Sequence, residues 1–380
     1  MQISAQFQGG SIEVVAVNIE NTQAQLRLRP DSQNPDFLQW FYFRVQGVKH
    51  KPMTLEIMNA GASTYHEAWN HYQACYSYDR EFWQRNADTH YDGSTLSIKL
   101  TPEFDEVFFA YFAPYSWERH LDLINTCQFS ERLQVEHLGT SSLGLPMDLI
   151  VAGTPSQSKK NIWIIARQHP SETMAEWFME GLLERLLQEG DGVTTALLQQ
   201  ATLYLVPNMN PDGTILGHTR TNGKGFDLNR EWQLAKQSTS PEVFSVKQRV
   251  AATGVDAFFD IHGDEAIPYL FLSGCEGIPS YDAAYQHLEQ QFKTAFARLC
   301  PEFQEQYGYE QDAPGAANLG LAAPFIAETY HSLAYTLEMP FKDTNNLPHP
   351  GEGWSPERAK QLGAMWLNLL WQYLSIRSKD

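Results

Sequence analysis

A histidine and a glutamate, His169 and Glu172, stand three residues apart just after an apolar run at residues 162–166. Three residues are nearly one helical turn, so the two side chains can converge on one ion. A second histidine, His262, follows another apolar run that begins at residue 255. Two imidazoles and one carboxylate, with a fourth position open for water, are the ligand set of a hydrolytic zinc site.

A His-x-x-Glu pair by itself is more often an ion pair or a cap at a helix start than a metal site. Glu172 and His262 are also 90 residues apart (262 minus 172), and spacing alone does not bring them together. Other polar residues strengthen the zinc interpretation. Arg230, with Asn229 beside it, can hold a terminal carboxylate through two parallel hydrogen bonds. Glu338 stands among apolar residues, where a carboxylate is costly unless it has a task.

The elements that must position these residues are predicted from the hydrophobic pattern of the second part of the chain. Nearly continuous apolar runs predict strands buried on both faces at 162–166, 202–206, 255–261 and 335–337. Amphipathic stretches predict helices at 174–187, 242–252, 281–299 and from Ser355 to about Leu374. The result is an α/β domain with a mixed sheet, in which ligands gather where strands end.

The first part of the chain has the two-residue period of half-buried strands. Leu26 and Leu28 alternate with polar residues, as do Leu96, Ile98 and Leu100. Aromatic strand formers and turn residues complete the pattern of a small antiparallel β-sandwich. We therefore predict two domains, a β-sandwich at 1–122 and an α/β catalytic domain at 123–380.

Composition and charge narrow the class of protein. The chain has 380 residues with 27 Lys and Arg against 45 Asp and Glu, a net charge of -18. Its 43% hydrophobic content excludes wholesale disorder, and its negative charge disfavours nucleic acid and anionic membranes as partners. No secretory leader or membrane span is recognisable, and the four cysteines are widely spaced, so reduced thiols and a cytoplasmic location are expected. The oligomeric state stays open.

Taken together, the motifs resemble the zinc metallocarboxypeptidase family, and within it bacterial-type members of the cytosolic carboxypeptidase branch. The resemblance covers nearly the whole chain. His-Pro-Ser-Glu at 169–172 resembles the first zinc motif, Asp-Ile-His-Gly-Asp-Glu at 260–265 the segment of the third ligand, and Thr-Leu-Glu at 336–338 that of the catalytic acid. The aromatic segments 40–45 and 112–116 resemble signatures of the β-sandwich that precedes the catalytic domain.

The resemblance implies a mixed-sheet carboxypeptidase-like catalytic domain with one Zn²⁺ per chain. It implies that His169, Glu172 and His262 bind the metal. Asp227 resembles the family's acid that fixes the tautomer and angle of the first zinc histidine.

The resemblance also implies how a peptide bond would be cleaved. Glu338 would be the general base, which takes a proton from the attacking water and passes it to the leaving amine. Arg220 would stabilise the oxyanion of the tetrahedral intermediate. Asn229 and Arg230 would dock the terminal carboxylate of a peptide or protein tail, which selects chain ends over internal bonds. The implied function is a zinc-dependent metallocarboxypeptidase.

The substrate is less constrained. Eukaryotic relatives in this branch remove glutamates from acidic protein tails, and a set of cations, Arg167, Arg220, Lys224 and Arg230, could attract such a tail. The net charge of -18 repels an acidic polymer, although this repulsion fades beyond a Debye length of roughly 8 Å at physiological salt.

Two alternatives stay open at this point. The first is a zinc amidohydrolase of small N-acyl amino acids, which Asn229 and Arg230 disfavour. The second is a binding module that holds a tail without cutting it, which has no need of Glu338.

One departure from the family pattern concerns a tyrosine. Many members carry a tyrosine roughly twenty residues before the catalytic acid, where it closes over the substrate, but residues 315–324 contain none. Tyr307, Tyr309 and Tyr330 are the candidate substitutes. Aromatic residues at such positions are usually packed or at the surface, so we predict no site role for any one of them.

Overall fold

The structure is a computed structural model and describes residues 1–377. Residues 378–380, which end the predicted second domain, lie outside the described residues. We call residues 1–116 the front region and residues 117–377 the rear region. The strands of the front region are β1 (Gln2–Ser4), β2 (Glu13–Asn18), β3 (Gln23–Arg27), β4 (Tyr42–Gln46), β5 (Met53–Ile57), β6 (Cys75–Ser77), β7 (Gln84–Arg85), β8 (Thr89–Tyr91), β9 (Leu96–Leu100) and β10 (Glu106–Ala110).

The front region consists of two five-stranded sheets. Their strand orders are β1-β4-β10-β6-β7 and β2-β3-β5-β9-β8. The pairings are antiparallel except that of β3 with β5, which is parallel. Residues of β3, β5 and β9 alternate between buried and more exposed positions, which confirms the two-residue period. Two short 3-10 helices, Ala60–Ala62 and His66–Trp69, connect strands.

The rear region alternates strands and helices. Its strands are β11 (Leu133–Thr140), β12 (Pro146–Ala152), β13 (Lys160–Ala166), β14 (Ala201–Val206), β15 (Ala257–Asp264), β16 (Phe271–Ser273) and β17 (Leu333–Pro340). Its α-helices are α1 (Trp117–Cys127), α2 (Met174–Leu187), α3 (Gly192–Gln200), α4 (Pro211–Leu216), α5 (Pro241–Thr253), α6 (Ala283–Leu299), α7 (Ala322–Tyr330) and α8 (Pro356–Arg377). A 3-10 turn at Leu228–Arg230 completes the elements.

The rear strands form one mixed sheet in the order β11-β12-β14-β13-β15-β17-β16. The pairs β14-β13, β13-β15 and β15-β17 are parallel, and the outer pairs are antiparallel. The central strands are buried along most of their length, as expected for a sheet covered on both faces. The predicted α/β class with a mixed sheet is confirmed, and each predicted strand and helix is present.

The two regions share one hydrophobic core. Tyr111 of the front region stacks on Phe341 of the rear region with ring centroids 4.7 Å apart. Arg85 reaches across and donates to the carbonyl oxygens of Phe341 at 2.7 Å and Trp354 at 3.1 Å. The predicted boundary between residues 122 and 123 falls inside α1 and stays a prediction.

Two further features bear on the sequence expectations. Within residues 1–377, no helix combines the length and apolar character that crossing a bilayer requires. The four cysteines are free thiols and all are buried.

Candidate metal centre and active site

The topology of the central sheet explains why distant residues meet. Strands β13 and β15 are parallel neighbours, with Ala166 opposite Ile261. The chain leaves β13 just before His169 and Glu172, while His262 follows Ile261 on β15 itself. Because parallel strands end at the same edge of a sheet, the three side chains are delivered to one place.

The three predicted ligands form a tight, buried cluster. Their ligand atoms all lie within 4.8 Å of one another. One carboxylate oxygen of Glu172 lies 2.6 Å from Nδ1 of His169, and the other lies 2.7 Å from Nδ1 of His262. The two imidazoles therefore present the same nitrogen to a common centre. This donor set, two nitrogens and one carboxylate, suits a zinc ion.

The outer nitrogens of both imidazoles face carboxylates. Nε2 of His169 is 3.1 Å from Asp227, and Nε2 of His262 is 2.8 Å from Asp260. A proton on Nε2 leaves Nδ1 free as a ligand, so these acids favour the tautomer that a metal requires. The family resemblance implied this role for Asp227, but Asp260 was missed. The signal was present, because residues 260 and 262 lie two apart on a strand and share a face.

Burial and charge act together on the ionisation of this cluster. Burial disfavours ionisation of Glu172, yet His169 and His262 outweigh it and hold its carboxyl pKa well below the usual range. Burial likewise opposes ionisation of Asp227, but His169 and Arg220 depress its pKa far more. Glu172 and Asp227 are thus the carboxyl groups of this centre that favour the ionised form, which a divalent cation requires of its partners.

Glu338 lies beside the cluster on the next strand. It is opposite His262 in the parallel register of β15 and β17. Its side chain is 5% exposed, and its Oε2 has no hydrogen-bond partner among residues 1–377, so one oxygen is free to accept a proton. Burial, opposed by His262 and reinforced by Glu172 and Asp264, raises the pKa of this carboxyl well above its usual range.

Tyr309 reaches Glu338, and this corrects the prediction that it has no site role. Its hydroxyl is 3.2 Å from Oε1 of Glu338 and 2.7 Å from Oδ2 of Asp264. Its ring packs edge-on against Phe271, which is opposite Glu338 on β16. No spacing rule finds this residue, because a long loop carries it to the site.

The other two candidate tyrosines lie elsewhere. Tyr307 stacks on Tyr269 with ring centroids 4.3 Å apart. Tyr330 ends α7 and packs against the hydrophobic core.

Arg220, predicted to be catalytic, and Asn229, predicted to bind substrate, both lie against this centre. Arg220 donates through Nε to Asp227 at 2.7 Å and through its guanidinium to the hydroxyl of Tyr65 at 2.6 Å. The side chain of Asn229 is 3.4 Å from Nε2 of His262, and its oxygen accepts from the backbone N–H of Ala322 at 2.9 Å. The structure therefore brings Arg220 and Asn229 to the metal cluster.

Arg230 is exposed, and its guanidinium donates to the carbonyl oxygen of Asn229 at 2.7 Å. The other two cations of the predicted set differ from each other. Lys224 is exposed, as expected of a surface cation. Arg167 is 3% exposed and donates to Glu176 at 2.6 Å, so it has no access to a substrate and leaves the set.

Comparison with known proteins gives a consistent result. Residues 3–112 match a family model described as the cytosolic carboxypeptidase N-terminal domain, and residues 118–362 match one described as zinc carboxypeptidase. The chain is 25% identical to cytosolic carboxypeptidase 3 of Bos taurus over 80% of its own length, a match that spans 33% of the bovine protein.

Two solved structures are similar over almost their whole length. A metallo-carboxypeptidase from Burkholderia cenocepacia is 42% identical, with a TM-score of 0.95 and coverage of 99% of both chains. A metallo-carboxypeptidase from Pseudomonas aeruginosa, solved in complex with (2-guanidinoethylmercapto)succinic acid, is 45% identical, with a TM-score of 0.94 and the same coverage.

Proposed function

This chain belongs to the zinc carboxypeptidase family, and from that premise we propose that it hydrolyses the last peptide bond of peptides or protein tails. The observation that carries the proposal is the gathering of His169, Glu172 and His262 within 4.8 Å, with Glu338 opposite His262 on the adjoining strand. A hydrolytic site needs a metal-binding cluster and a nearby base, and this arrangement supplies residues for both.

In the proposed mechanism, His169 and His262 through Nδ1 and Glu172 through its carboxylate hold one Zn²⁺. Bound there, zinc would lower the pKa of a water molecule and polarise the scissile carbonyl. Glu338 takes the proton of the attacking water and delivers it to the leaving amine. Its Oε2 has no hydrogen-bond partner among the described residues, so this oxygen can accept the proton.

Charge develops on the carbonyl oxygen as the water attacks. Arg220 offers its guanidinium to that oxygen, and because Asp227 and Tyr65 already hold the side chain, little reorganisation is needed. Asn229 and Arg230 bind the free carboxylate of the substrate, so that only the terminal bond reaches the base.

The finer proposal is that the preferred terminal residue is glutamate. Two guanidinium groups support it, since Arg220 donates to Asp227 beside the metal cluster and the charge of Arg230 acts on the same carboxylate. Asp264 and Glu265 count against a preference for glutamate. They follow His262 by two and three residues, and acidic groups so near the site disfavour an acidic side chain. The ligand of the Pseudomonas aeruginosa relative has two carboxylates and one guanidinium group. Peptides that end in lysine or arginine therefore belong in the same test. A cytoplasmic location, proposed for this chain, is supported by the name of the bovine relative.

Mass spectrometry of a mixed peptide library tests both proposals. The zinc-loaded protein is incubated with peptides that differ only in their last residue, together with N-acyl amino acids. Loss of single C-terminal residues, fastest for glutamate, is expected, while the variant Glu338→Gln serves as the inactive control. Cleavage of the N-acyl amino acids alone would contradict the carboxypeptidase proposal, and faster loss of lysine or arginine would contradict the glutamate preference.

A further inference from the structure

The segment that presents Arg220, residues 218–221, is held by the front region. The side chain of Asp31, which is 3% exposed, accepts the backbone N–H groups of Thr219 at 2.5 Å, Arg220 at 3.0 Å and Thr221 at 2.8 Å. It also accepts the hydroxyl of Thr221 at 2.9 Å. One buried carboxylate thus satisfies three successive amides, which fixes the backbone path of this segment.

The same segment is tied to the metal cluster on its other side. The carbonyl oxygen of Thr219 accepts the hydroxyl of Ser171 at 2.7 Å, and Ser171 lies between two of the predicted zinc ligands. The hydroxyl of Thr219 accepts the backbone N–H groups of Gln39 and Trp40, both in the front region. Residues 218–221 therefore connect the front region to the metal-binding loop, the segment at 169–172 that carries His169 and Glu172.

The tip of Arg220 is held separately from its backbone. Tyr65 accepts from the guanidinium at 2.6 Å, and the ring of Phe37 lies 5.7 Å from the guanidinium carbon. Both residues belong to the front region, and Asp227 of the rear region completes the set at 2.7 Å. The hydrogen bond between the guanidinium and Tyr65 orients the functional group of Arg220. A contact that only joined the two regions would not need to orient that group.

We propose that the front region is part of the catalytic apparatus, with Asp31 and Tyr65 as positioning residues for Arg220. Asp31 fixes the backbone from which the side chain projects, and Tyr65 fixes the guanidinium. An arginine left free would lose rotamer freedom each time an oxyanion forms, whereas a held arginine is ready before the reaction begins. This inference rests on the proposed role of Arg220 in the hydrolysis.

The variant Tyr65→Phe tests the inference with little disturbance, because it removes a single hydroxyl. We expect kcat to fall about tenfold with KM within about twofold, since the ground-state contacts are kept and the oxyanion contact is loosened. Zinc content is expected to be unchanged. Tyr91→Phe is the matched control, because the Tyr91 hydroxyl donates to the carbonyl oxygen of Gly93 in the front region, and its kcat should equal that of the wild type.

Asp31→Asn gives a second measurement, paired with Asp79→Asn. Asp79 is also a front-region aspartate that accepts backbone N–H groups, those of Glu81 and Phe82, but it lies outside the site. Asp31→Asn should lower kcat more than Tyr65→Phe does. The side-chain NH₂ of asparagine is a donor and would face the backbone N–H groups that the carboxylate now accepts, so the Arg220 segment would shift. Should that variant fail to fold, the tyrosine variant still decides.

The double variant separates positioning from an independent effect. Arg220→Ala alone is expected to lower kcat by about 10²–10³-fold. If Tyr65 acts through Arg220, adding Tyr65→Phe to that variant changes kcat by less than about twofold. Three results would each overturn the inference. The losses of kcat in the two single variants could multiply in the double variant, Tyr65→Phe could change KM alone, or Tyr65→Phe could keep full activity while Arg220→Ala is impaired. Full activity of Arg220→Ala would instead overturn the proposed role of Arg220 itself, and the inference with it.

Discussion

The two sides of the candidate site are built in different ways. The metal cluster is delivered by neighbouring parallel strands, β13 and β15, and each ligand stands at or just beyond a strand end. Arg220 lies on a loop whose position is fixed by Asp31, a residue 189 positions earlier in the chain. The first side follows from local pattern and sheet topology. The second requires that a separate region fold and pack before the arginine is in place.

This difference suggests how the two sides should respond to change. Loss of a metal ligand removes the reacting centre itself, whereas loss of a contact to the Arg220 segment leaves the centre intact and misplaces one group. Substitution of a metal ligand should therefore abolish activity, whereas substitutions on the arginine side should reduce activity by graded amounts.

The largest effect is expected for Glu172→Ala. The carboxylate between the two imidazoles is lost, so the zinc content should fall from about one per chain to near zero and turnover should become undetectable. Metal analysis and peptide hydrolysis check this. As a control, chelated wild-type protein should regain activity when zinc is added back, while the variant should not. A variant that keeps both zinc and activity would show that the cluster is not the metal centre.

The next effect concerns Glu338→Gln. The amide cannot accept the proton of water, so kcat should fall by about 10²–10⁴-fold while zinc stays bound. The matched control is Glu289→Gln. Glu289 is also a buried glutamate, with a pKa that burial and Glu276 raise to about 7, but it bonds to Cys275 and Tyr281 instead of facing the cluster. Equal losses of activity in both variants would point to a general effect of burying an amide.

A smaller effect is expected for Tyr309→Phe. The hydroxyl that holds one oxygen of Glu338 is lost, so the base should be less well oriented and kcat should fall about tenfold. Tyr307→Phe is the control, since Tyr307 lies two residues away and stacks on Tyr269. Steady-state kinetics with one peptide measure both. Indistinguishable variants would remove Tyr309 from the site.

The three residues that the sequence predicted for the metal side, His169, Glu172 and His262, lie together in the structure. Continuous apolar runs before His169 and at His262 define strands covered on both faces, and the ends of such strands are where ligands collect. Asp260 could have been added from the strand period, because it shares a face with His262. Patterns of fewer than ten residues and one rule of topology made these residues candidates, and the resemblance to a known family implied their roles.

The arginine side could not be predicted to the same depth. Nothing in the local pattern around Asp31 or Tyr65 indicates that either would meet Arg220, because the packing of the front region on the rear region creates those contacts. Arg167 illustrates the converse, since it was included among the cations that could attract an acidic tail and is instead paired with buried Glu176. Buried ion pairs of this kind are visible only once both partners are placed.

Glu176 also contacts His120, and this contact leads to the last prediction. It concerns the stability of the fold as a function of pH, and its effect on activity should be the smallest. His120 of α1 is 1% exposed and lies between two carboxylates, with Nδ1 at 2.6 Å from Glu176 and Nε2 at 3.2 Å from Asp148. Burial alone would lower the pKa of this imidazole, but Glu176 and Asp148 outweigh it and raise the pKa to about 9.

Because the folded-state pKa lies above the unfolded value of about 6.5, protonated His120 should stabilise the fold fully below pH 6.5. This contribution, about 2 to 3 kcal/mol, should be lost as the pH rises through about 9. The melting temperature of the wild type should therefore exceed that of His120→Gln by about 3 °C more at pH 6 than at pH 9.5. His90→Gln, at an exposed position of β8, should show no such change with pH. A constant difference across the range would mean that His120 is neutral in the folded protein, and that Arg167 alone balances the charge of Glu176 behind the metal-binding loop.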